Sequence, residues 1–169
     1  MTTHTLHHPH GGESLPRWIV VGFVSGAVSV LIFHQGAAAL LHALQLTPRA
    51  PYSMAPTPPW GVPQVWSLAF WGGVWGVVFA ALLARLEGAG LVVASTVLGA
   101  VLPTLVAWFV VAPLKGQPPA AGWAPAAMMI GPIVNAAWGL GTGLGLALLG
   151  RPHARIEADR GANRSPNRS

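Results

Sequence analysis

The residues with the most chemical potential are histidines. His4, His7, His8 and His10 crowd the amino-terminal end, while His34 lies deep in a long apolar stretch. Neutral imidazole binds transition metals, and its near-neutral pKa lets it move protons. The terminal tract has Glu13 beside it but no thiol, so any metal site there is loose and unselective. Its plainer reading is a polar tail.

His34 has company at the same expected depth. It lies ten residues inside the first apolar stretch with Gln35 next to it, and Asn135 lies ten inside the last; Trp71, Trp75 and Trp138 bracket the layer. Polar groups inside a membrane are rare and point to function or to hydrogen bonds between helices. Three roles fit this set. His34 and Gln35 could bond to Asn135 and fix helix register. The layer could hold an ion, a proton or a quinone-like head group between indole walls. His34 could ligate a haem, the weakest role, since a second deep histidine on another helix is missing and His42 shares the helix of His34. No cofactor is expected.

Catalysis is argued against by absences in the chain. There is no cysteine, which removes thiol nucleophiles, zinc-thiolate sites and iron–sulfur clusters. The four acids, Glu13, Glu87, Glu157 and Asp159, fall in tails or a short connector, so no carboxylate pair shares a buried cleft. Phosphate-loop, zinc-protease and serine-hydrolase motifs are also lacking. The chain reads as a non-enzyme.

The elements that position these residues follow from where charge is missing. Charged residues are 8% of the 169, against about 25% in a soluble domain. They leave four uncharged runs, 18–48, 50–84, 88–114 and 116–150, each longer than the ~20 residues needed to span a bilayer. Trimming at Pro, Gly and interfacial Trp predicts an all-α, polytopic, four-transmembrane-helix bundle in residues 18–150. The helices are expected at about 18–44, 64–84, 91–112 and 125–149. Residues 1–17 form a His-rich disordered tail and 151–169 a basic disordered tail. A cleaved signal peptide at Trp18–Ala39 is the competing reading of the first run, but apolar character resumes at once through Leu46.

Orientation comes from Lys and Arg. One side carries Arg17, Arg85, Arg151, Arg155, Arg160, Arg164 and Arg168, and the other only Arg49 and Lys115. The positive-inside bias predicts both termini in the cytoplasm, N-in and C-in, of a cell inner membrane. The basic tail attracts anionic lipid head groups. A net charge of +5 scattered in this way does not make a nucleic-acid surface.

The outer connector 45–63 carries Pro48, Pro51, Pro56, Pro58, Pro59 and Pro63, so an extended, semi-rigid cap of polyproline character suited to docking is expected. Small residues four apart recur: Gly22 with Gly26, Gly72 with Gly76, Gly139 with Gly143, Gly141 with Gly145. Such spacing lets helices in lipid approach closely. The last helix has more of them than one neighbour needs, which suggests a face for a second copy or another subunit. Trp71-Gly72-x-x-x-Gly76 is echoed by Trp138-Gly139-x-x-x-Gly143, a weak sign of a parallel two-helix repeat. Abundant packing signal with little chemical signal predicts an accessory, scaffold or assembly subunit in the bilayer. The alternative is a transporter or ligand-binding protein with a mid-membrane site at His34.

Overall fold

The structure, a computed structural model, describes residues 17–150. Among these, four helices are long and apolar enough to cross a membrane: α1 (Arg17–Ala43), α2 (Gln64–Leu82), α3 (Gly88–Leu114) and α4 (Pro125–Leu149). The fold is mostly helical. The His4, His7, His8 and His10 tract and the basic tail after Gly150 lie outside the described residues.

The helices pack in the order α2–α1–α4–α3, and in each close seam glycine admits the neighbouring backbone. Between α1 and α2, a Cβ on Gly26 would strike the Gly72 carbonyl and one on Gly76 the Gly22 carbonyl. Between α3 and α4, a Cβ on Gly139 would strike the Ser95 carbonyl, and one on Gly99 would lie 2.8 Å from the Asn135 carbonyl. Between α1 and α4, Gly141 leaves room for Phe33 and Ser29, and Gly145 for Ser25. Dispersion drives association in lipid, where burial of apolar surface does not, so this closeness is the source of cohesion. The α2 and α3 backbones make no comparable approach. Larger side chains join that side of the bundle: Trp75 and Phe79 of α2 and Leu91, Leu98 and Leu102 of α3 belong to one apolar cluster that includes Trp138.

Helix ends follow local rules. Gln45, at φ 59°, ends α1, with Leu46 N–H donating to Leu41 O and Gln45 N–H to His42 O. This is the six-to-one and five-to-two pattern of a left-handed helix stop. Gly116 ends α3 in the same way. Helix α3 runs longer at both ends than the expected 91–112. Glu87 is extended and accepts the Leu91 amide at its start, so Gly88 and Gly90 fall inside the first turn. At its other end Pro113 is accommodated because the turn Ala107–Val111 is widened, with Ala112 N–H reaching back five residues to Ala107 O. A proline ring clashes with the carbonyl four residues before it, and a wider turn removes that clash.

The connector 45–63 departs from the expected open polyproline cap. It folds into a small hairpin in which β1 (Pro56–Thr57) pairs antiparallel with β2 (Val62–Pro63), closed by Thr57 Oγ1–H donating to Val62 O at 2.6 Å. Proline lacks an N–H but its segment keeps every carbonyl. Ser53 O and Ala55 O therefore serve as acceptors for the first amides of α2, those of Val65 and Gln64, at 3.1 and 3.0 Å. A segment rich in acceptors thus satisfies a helix end rich in donors.

Candidate functional site

Near its middle α1 also contains a widened turn, Val30–His34, where Gln35 N–H donates to Val30 O five residues back and to Ile32 O. Leu31 O is skipped. Unlike the turn in α3, this one has no proline within the helix behind it; the next is Pro48, beyond the helix end. Its partner comes from the 45–63 loop. Tyr52, the chain's single tyrosine, donates its hydroxyl to Leu31 O at 2.8 Å. The Tyr52 N–H donates to Oε1 of Gln35, also at 2.8 Å. One loop residue therefore satisfies both the skipped carbonyl and the buried amide side chain. Turns of this kind concentrate at functional sites.

His34 ends this turn. It is half-buried, and among the described residues its Nδ1 is enclosed without a hydrogen-bond partner.

The five residues grouped with His34 by depth separate from it and from one another. Gln35 is held by Tyr52. Asn135 turns to α3 and donates to Thr104 Oγ1 at 2.9 Å, not to His34. Trp138 is buried, 2% exposed, with Nε1–H donating to Gly26 O at 2.9 Å and its ring centroid 5.1 Å from that of Phe79. Trp71 is 58% exposed, so the two tryptophans of the echoed Trp-Gly-x-x-x-Gly strings occupy opposite environments. Trp75 lies partly buried beside Phe79.

For Trp71 the separation is one of depth; Asn135 is set apart by the face of α4 it occupies. Counting depth from helix ends assumes that the ends are level, and they are not. Tyr52 bonds Gln35 while its neighbour Ser53 accepts from Val65, so Gln35 stands beside the first turn of α2. Residues 36–43 continue outward past that point, by ~12 Å at 1.5 Å per residue. His34 is therefore level with the start of α2, and Trp71 lies six residues deeper than Val65, ~9 Å.

Two serines at membrane depth tie helices together, while Thr96 and Thr142 bond back to Val92 O and Trp138 O of their own helices. Ser29 Oγ–H donates to Trp138 O at 2.6 Å and Ser95 Oγ–H to Gly139 O at 2.8 Å. The six packing glycines, Gly22, Gly26, Gly72, Gly76, Gly139 and Gly143, all face a helix of the same chain. At the opposite end of the bundle Arg17 donates to Leu149 O at 3.2 Å, a cation on the last carbonyls of α4, where the helix dipole favours it. At the end of α1 next to the 45–63 loop His42 Nδ1–H donates to Thr47 O at 3.1 Å, and this ring is outside the His34 turn. Among the described residues no three His, Asp or Glu side chains gather as a metal site.

Sequence reasoning missed Tyr52, Leu31 and Thr104, whereas Ser29 stood out as one of a small-residue pair with Ser25. Of the three missed, only Tyr52 carried a signal, as a lone phenol in a proline-rich connector. No protein-family model, curated protein or solved structure matches the chain.

Proposed function

We propose that this chain is a small, non-enzymatic accessory or scaffold subunit of a cell inner membrane. The observation that carries this reading is the use made of polar groups. Ser29, Ser95, Asn135, Trp138 and Gln35 each bond to another helix or to the loop, which suits a structural frame better than a reaction centre. Both described ends lie together at the Arg17–Leu149 contact, and the Lys and Arg bias assigns that end to the cytoplasm. The basic tail would then meet anionic lipid.

Because the packing glycines are engaged within the chain, association with a second copy or another membrane subunit falls to other surfaces. The outer hairpin offers Trp60 at 87% exposure, and tryptophan is enriched among residues that dominate interfaces. Gentle detergent purification, with identification of co-purifying membrane proteins, tests the reading. A partner retained by the native chain and lost on Trp60→Ala supports it; a native chain that purifies alone as a monomer overturns it.

The enclosed, unpartnered Nδ1 of His34 favours a second reading, a transporter or small-ligand site at the α1 turn. Ion or proton flux in proteoliposomes that falls on His34→Ala would support this alternative. Absent or unchanged flux would remove it.

A further inference from the structure

We propose that the widened turn of α1 is a register switch set by the outer loop through Tyr52. A turn bonded five residues back contains one residue more than the regular helix on either side of it. The surplus residue leaves Leu31 O without an intrahelical donor, and in a low-dielectric surrounding such a carbonyl must find one. Tyr52 supplies it, and its own N–H fastens the loop to Gln35. The α3 turn is accounted for by Pro113. The α1 turn is accounted for only by the loop.

If the Tyr52 hydroxyl is withdrawn, one group within α1 can replace it: Gln35 N–H, by giving up Val30 O and taking Leu31 O in the ordinary four-residue bond. That exchange turns the segment from Gln35 to Ala43 by ~100° about the helix axis and advances it by ~1.5 Å. Each residue moves into the place its successor held. Leu40, now 60% exposed, takes the buried place of Leu41, which is 6% exposed; Leu41 moves to the open position of His42. The loop also accepts the first two amides of α2 through Ser53 and Ala55. Displacing the loop at the outer surface would therefore rotate the outer end of α1 and uncap α2 in one motion.

The chain has no cysteine, so single nitroxide labels can be placed on the full-length protein in lipid vesicles. Labels at Leu40→Cys and Leu41→Cys report oxygen collision rates, with site 40 more accessible than site 41 when Tyr52 is present. In the Tyr52→Phe background that order is expected to reverse. An unreversed order in a folded Tyr52→Phe protein overturns the proposal. Should that variant fail to fold, deletion of Ile32 gives an independent test. Removing one residue closes the turn to a regular helix with both flanks still in register. The deleted chain should fold with the original order, and a reversed order or loss of the fold in it overturns the proposal as well.

Discussion

The indole N–H of Trp138 donates to the Gly26 carbonyl at 2.9 Å, at the place where α1 and α2 come closest. A Cβ on Gly72 would lie 3.1 Å from the same indole nitrogen. One side chain of α4 thus reaches the seam between two other helices.

Trp138→Phe keeps an aromatic ring beside Phe79 but removes the N–H together with part of the buried indole. Hydrogen bonds between membrane helices average about 0.6 kcal/mol and reach about 1.7, so a loss of ~1 kcal/mol is expected. Trp138→Ala also leaves a cavity and should cost ~3–5 kcal/mol. Reversible unfolding in mixed micelles measures both. Equal losses would show that the hydrogen bond, and not the ring, closes the seam.

Two serines one turn apart on α1 should respond differently. Ser29 Oγ–H donates to Trp138 O, whereas Ser25 Oγ is enclosed without a partner among the described residues. Ser29→Ala is expected to cost about 0.6 to 1.7 kcal/mol. Ser25→Ala should be neutral or stabilising, because an unpaired buried hydroxyl carries a desolvation penalty. A larger loss at Ser25 than at Ser29 would contradict the assignment.

Glycines should divide by what their Cβ would meet. Gly139→Leu drives a side chain into the Ser95 carbonyl and should cost at least ~3 kcal/mol, seen as lost folded yield and a lower melting temperature. Gly36 has open space around it, and Gly36→Leu should gain up to ~1 kcal/mol from helix propensity. A Gly139→Leu chain that melts normally but changes its oligomeric state would restore this face to intermolecular contact.

Much of this fold was readable from the placement of thirteen charges, because bilayer thickness converts an uncharged run into a span with little dependence on neighbours. The site was not readable in the same way. His34, Trp71 and Asn135 were grouped by distance from helix ends, and residues 36–43 of α1 extend past the start of α2. Helix faces were also hidden: four glycines of α4 looked like a surplus, yet Gly139 and Gly143 serve α3 while Gly141 and Gly145 serve α1. The α1 turn lacks a proline to announce it. It depends on a phenol from residue 52, a contact that no local pattern contains.

Topology is open to direct measurement. A reporter active only in the cytoplasm, fused after Gly150, is expected to be active, and one active only outside the membrane to be silent. The same pair fused within the 45–63 loop should give the opposite result. Matching activities at the two positions would defeat the positive-inside assignment.

The sharing of α4 between two neighbours bears on how the molecule is made. During synthesis α1 and α2 leave the ribosome first and can close their glycine seam while α3 is still alone. A chain interrupted before Pro125 holds one finished hairpin and one solitary helix, with Ser25 and Ser29 open on one and Ser95 and Gly99 on the other. The fourth helix covers both surfaces at once, so these adhesive faces are concealed together when α4 arrives.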